Sequence, residues 1–128
     1  KGGFFSATAP VIAILSDDLF TGEAVGYMDR TGKIDIRSVL DSEISCMGEF
    51  RYTGSKTGKG EMMCNDGNKA EFRFTALGPL SGYGFGSSTR GPVSFTFGLA
   101  KDDAQEYLKL PKGKRINKTQ SGLRLIAL

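Results

Sequence analysis

Residues 50–74, FRYTGSKTGKGEMMCNDGNKAEFRF, alternate a ring or glycine with a charged side chain so regularly that one strand pairing satisfies them best. Alternation of period two belongs to strands buried on one face, because successive side chains of an extended chain leave on opposite sides. Two turn signals divide the stretch, TGSKT at 53–57 and NDG at 65–67. A hairpin about the first sets Cys46 opposite Cys64, Phe50 opposite Gly60 and Tyr52 opposite Gly58. A hairpin about the second, with Gly67 supplying a positive φ, sets Gly60 opposite Phe72 and Gly58 opposite Phe74. Each glycine then makes room for rings from both neighbouring strands, the large–small alternation of a packed face. The other face collects Glu49, Glu61 and Glu71 in one row and Arg51, Lys59 and Arg73 in the next. A slip of one residue would drive these charges into the core, so the pattern fixes its own register.

The same alternation predicts further strands near Phe20–Met28, Lys33–Val39, Cys46–Tyr52, Gly58–Cys64, Asn68–Ala76, Ser81–Ser87 and Val93–Leu99. Continued across them, the rows take in Phe85 and Phe95, and Tyr83 and Phe97. This turns Tyr83 and Phe85 towards the core and leaves Gly82, Gly84 and Gly86 on the other side, where they permit strong curvature. Short connections favour an antiparallel meander. One short helix is expected near residues 102–109, with Asp102 as cap, Gln105 three residues later, Ala104, Tyr107 and Leu108 on one face, and Pro111 as the stop. VIAIL and SGLRLIAL are candidates for further strands that close a barrel or cover an edge. The fold class is therefore mainly all-β: a meander of about seven to nine strands, strongly twisted or barrel-like. The expected organisation is a flexible tether over residues 1–10, a β domain over 11–110, and a basic C-terminal segment over 111–128 that ends in a strand.

A chain of 128 residues is most simply one domain with a core of its own. Its net charge of +3 hides an asymmetry: Lys109 to Leu128 carries six basic residues and no acid. Lys112, Lys114, Arg115 and Lys118 are thus candidates for contact with phosphate or an anionic membrane surface, against the plainer reading of a solvated end. No apolar run approaches the roughly 18 residues of a membrane-spanning helix. The absence of histidine removes the usual triad base, and two thiols cannot complete a tetrahedral zinc site. No catalytic residue, metal or cofactor is expected, although a Ser–Lys arrangement stays open. No glycine-rich segment leads from a strand into a helix as a phosphate loop does. Asn117-Lys118-Thr119 matches a glycosylation sequon, which matters only in a eukaryotic secretory pathway.

Cys46 and Cys64, opposed on adjacent strands, are expected to form a disulfide rather than to remain two buried thiols, and this suits an oxidising compartment. The glutamate row beside the basic row is a candidate cation or partner patch. Its plainer reading is a self-neutralising, solvated sheet face. SGYGFGSS resembles the stacking strand of cold-shock and RRM nucleic-acid binders. With Ser81 where a basic residue normally precedes that motif, and the rings expected inward, nucleic acid is not the expected partner.

TGKGEMMCNDGNKAEFRF resembles a MORN-type repeat, in which G-K-G precedes a short strand and D-G precedes the returning aromatic strand; TGEAVGYMDRTGKIDI and SGYGFGSSTRGPVSFTFG echo it. The opening KGGFFSATAPVIAIL resembles the segment after the processing site of a bacterial lipoprotein. The Cys-x-Asp-Gly turn with a later SFTFG strand is similar to small exported bacterial proteins and lipoproteins of unassigned activity. These resemblances imply a non-enzymatic binding or structural module of the bacterial envelope. It would be periplasmic or secreted, with a protein or envelope component as partner and a lipid anchor or basic tail for peripheral membrane association. The alternatives are a small-ligand-binding β-barrel and, behind it, a single-stranded nucleic-acid binder. They differ inside: a ligand barrel needs an open interior lined by the aromatic rows, whereas a structural module is packed solid.

Overall fold

Eight strands wind in chain order into a closed antiparallel barrel in the computed structural model, which describes residues 6–128. They are β1 (Ser6–Leu15), β2 (Asp18–Tyr27), β3 (Thr31–Ser38), β4 (Ser45–Tyr52), β5 (Thr57–Cys64), β6 (Lys69–Gly78), β7 (Ser81–Ser88) and β8 (Gly91–Phe97). β1 closes the cylinder by pairing with β8, Ala13 opposite Phe95 and Val11 opposite Phe97. A single helical turn, α1 (Lys101–Ala104), and a separate hairpin of β9 (Lys114–Thr119) and β10 (Gly122–Ala127) follow. VIAIL lies in β1 and SGLRLIAL supplies β10, so both candidate strands form; β9 lacked a clear alternation and is additional.

From β4 to β6 the register is the expected one. Cys46 faces Cys64 and the two form a disulfide. Gly60 faces Phe50 and Phe72, and Gly58 faces Tyr52 and Phe74. On the outer face Glu49–Glu61–Glu71 and Arg51–Lys59–Arg73 form the two rows.

Beyond β6 the expected rows require correction. β6 runs on through Ala76, Leu77 and Gly78 with an irregularity between Ala76 and Gly78, and β7 consequently pairs one residue away from the expected register. Phe72 faces Gly86 and Phe74 faces Gly84, so Tyr83 and Phe85 point outwards and Phe85 is 61% exposed. The opposite shift across the two-residue turn at 89–90 returns Phe95 and Phe97 to the interior. The physical reason is space. A Cβ on Gly84 would stand 2.6 Å from Phe95 Cζ, and one on Gly82 would stand 2.4 Å from Phe97 Cζ. Inward rings on β7 would need the volume that Phe72, Phe74, Phe95 and Phe97 already occupy.

Two other expectations change. Residues 6–10, expected within the tether, belong to β1; the remainder of that tether, 1–5, lies outside the described residues. The helix spans four residues instead of 102–109. Its N-cap is Ala100 with no side-chain cap, and Gln105 accepts a hydrogen bond from the Ile116 amide at 2.9 Å rather than closing a capping box.

Two apolar clusters result. One fills the barrel, with Leu15, Phe20, Ile36, Met62, Val93 and the disulfide towards one end. The other lies outside, where Ile12, Ile14 and Leu19 are covered by Ala104, Leu108 and Ile116. β1 is therefore buried on both faces, which explains why VIAIL is a continuous apolar run instead of an alternation.

Candidate functional site

The barrel is filled unequally along its axis. At the end formed by the turns 16–17, 39–44, 65–68 and 89–90, the cross-strand disulfide and branched aliphatic side chains fill the lumen. At the other end, bounded by residues 28–30, 53–56 and 79–80 and by the start of β1, a cavity of about 330 Å³ opens to the outside. Its wall is formed by Phe50, Tyr52, Phe72, Phe74, Phe95 and Phe97, with Ala9, Val11, Ala24 and Ile34 between them. Alanine and glycine on β1 and β2, across from the rings, create this space.

The rings pack on one another edge to face. Phe74 meets Tyr52 at 5.1 Å and Phe50 at 5.5 Å, and Phe72 meets Phe95 at 5.0 Å. Such contacts stiffen the wall, since edge-to-face pairs add about 0.5–1.5 kcal/mol beyond the buried area. Among the described residues, no charged side chain lines the cavity. Its polar lining residues, Ser6, Tyr27, Thr31 and Tyr52, sit at strand ends by the mouth, and the Thr31 hydroxyl is taken up by the Asp29 carboxylate.

Arg30 holds the rim. Its φ of 69° is a conformation L-residues rarely adopt, and two backbone hydrogen bonds secure it: Arg30 N–H to the Tyr27 carbonyl, and Tyr52 N–H to the Arg30 carbonyl. The guanidinium lies 4.4 Å from the centroid of the Tyr52 ring and donates to the Gly54 carbonyl at 2.6 Å, tying the 28–30 turn to the 53–56 turn. Beside it, hydrogen bonds from the Thr31 hydroxyl and amide hold the Asp29 carboxyl below the usual aspartate range.

The ionic rows are brought together as expected, but on the outer surface of β3 to β7 and away from the cavity. They line a broad, open trough with Lys33, Tyr27 and Phe85. Among the described residues no ion pair within 4.0 Å links the two rows; the salt bridges are Arg90–Asp66 and Lys101–Asp102. No group of three or more His, Cys, Asp or Glu among the described residues is arranged to hold a metal ion, the glutamate row included. Lys112, Lys114, Arg115 and Lys118 are all exposed, but strand alternation sends Arg115 to the face opposite Lys114 and Lys118, so they do not make one patch. The outward rings of SGYGFGSS partly cover themselves: Tyr83 stacks on Tyr107 at 4.6 Å, leaving Phe85 as the open one.

The cavity itself escaped the sequence reading. Ala24, Gly26 and Ala9 are its enabling residues; small side chains at inward positions of β1 and β2, facing large ones on β4, β6 and β8, were the available signal.

No protein-family model matches the chain, and no curated protein does. Among solved structures, a redesigned beta barrel is similar, with a TM-score of 0.58 at 15% identity, covering 73% of this chain and 90% of that one. The likeness is one of fold. No helix among the described residues is long and apolar enough to cross a membrane. The charged rows on the outside of the barrel call for water there rather than lipid.

Proposed function

We propose that this protein is a non-enzymatic binding module that holds one small, predominantly apolar molecule in the open half of its barrel. The observation that carries the reading is the unfilled, ring-lined interior. A purely structural barrel has every reason to close such a space, since an empty apolar cavity forfeits packing energy. At about 330 Å³ it sits near the lower bound of ligand pockets, which run from about 300 to 1,000 Å³. Polar residues at the mouth and apolar ones below suit a ligand with an apolar body and a polar end. The disulfide supports an oxidising compartment, which in this reading is the bacterial envelope. Titration with N-phenyl-1-naphthylamine tests the binding: saturable one-to-one uptake is expected, and absence of any saturable signal ends the reading. Mass spectrometry of the native full-length protein tests for a lipid anchor.

A second reading has one observation in its favour. The basic row Arg51, Lys59 and Arg73 ends opposite the exposed Phe85, which is a stacking surface beside cations. The parallel glutamate row opposes it. Salt-dependent retention on single-stranded DNA would promote this alternative.

A further inference from the structure

We propose that the mouth of the barrel is a docking surface for an anionic phospholipid membrane, with the cavity facing the lipid. The surface stands on the rim residues themselves; that cargo passes there rests on the ligand-binding reading above.

Two observations point the same way. First, exposed apolar side chains flank the mouth: Met28 on the 28–30 turn is 72% exposed, and Leu77 near the end of β6 and Leu80 on the 79–80 turn are about half exposed. Met28, Pro79 and Leu80 also line the cavity, so the outer apolar rim and the inner apolar wall are continuous. A water-facing rim of this kind leaves apolar area uncovered, whereas lipid contact would cover rim and opening together.

Second, charge is polarised along the barrel axis. The mouth turns, 28–30, 53–56 and 79–80, carry Arg30 and Lys56 against Asp29. The turns at the closed end carry Asp17, Asp41, Glu43 and Asp66 against Arg90. Over these turns alone, an anionic surface favours the mouth above the opposite end; the basic residues of 109–128 lie beside the barrel, on the segment that covers Ile14 and Leu19.

The test is vesicle flotation with the full chain, using equal parts phosphatidylglycerol and phosphatidylcholine against phosphatidylcholine alone. The wild type is expected to float with the anionic vesicles and to lose binding as salt is raised. A double variant, Leu77→Ser with Lys56→Glu, changes exposed rim residues that do not line the cavity and should lower vesicle affinity about tenfold or more. Leu40→Ser, which removes a still more exposed leucine at the closed end, should not. Both variants are checked for unchanged melting. Absence of flotation, an unaffected double variant, or equal loss in Leu40→Ser overturns the proposal. So does self-association without vesicles that the rim variant abolishes, because the apolar rim then serves a second copy. N-phenyl-1-naphthylamine uptake on the same samples separates the two readings. Uptake without flotation overturns docking alone, and flotation without uptake overturns the ligand reading alone.

Discussion

Gly58 lies opposite Phe74 so closely that a Cβ there would stand 2.2 Å from the ring's Cζ and 2.4 Å from the Arg51 carbonyl oxygen. The glycine is a socket for the ring, and the ring is the centre of the cavity wall.

Gly58→Ala is therefore expected to destabilise the barrel by about 2 kcal/mol, because neither the ring, held edge-on by Phe50 and Tyr52, nor the backbone oxygen can withdraw. Gly26→Ala is the control. A Cβ there meets nothing within 4 Å, so the expected change is less than about 1 kcal/mol. Urea unfolding of both variants measures the difference.

The register behind this pair was legible because each strand from β4 to β6 carries glycine or a ring on one face and a charge on the other. Slippage is then penalised on both sides of the sheet at once. SGYGFGSS has no charge to settle the matter, and its glycines and rings alternate with equal plausibility either way round. The irregularity at Ala76–Gly78 decided it, through a backbone event that side-chain alternation does not encode. The cavity was less legible still: whether six rings fill a lumen depends on how they tilt in three dimensions, not on the order in which they occur.

Replacing both cysteines by alanine should cost about 3 kcal/mol. The bridge closes a loop of sequence separation 18 in the unfolded chain and sits wholly buried at the filled end of the barrel. The native protein should show no reactive thiol until reduced under denaturing conditions, which a thiol-labelling assay reads directly.

Ala24→Phe places a ring in the cavity from the strand opposite the aromatic wall. N-phenyl-1-naphthylamine affinity should fall about tenfold or more while the melting temperature holds or rises, as expected when an empty space is filled rather than a packed one forced. Loss of stability with retained affinity would mean the probe binds elsewhere.

Thr96 on β8 is fully buried on the outer side of the barrel, and its hydroxyl finds no hydrogen-bond partner among the described residues. Thr96→Val keeps the branched shape and removes the unsatisfied group, so a gain of about 1 kcal/mol is expected in thermal or urea unfolding.

The seam between β1 and β8 joins residues 78 to 86 positions apart, and it is the contact that turns a ribbon into a cylinder. Until β8 exists, the first strand has an unsatisfied hydrogen-bonding edge and greasy surfaces on both sides. A chain made or exported from its N-terminus must hold that strand in waiting until almost everything else has emerged. The same late seam then leaves the finished cylinder with no free margin on which another strand can polymerise.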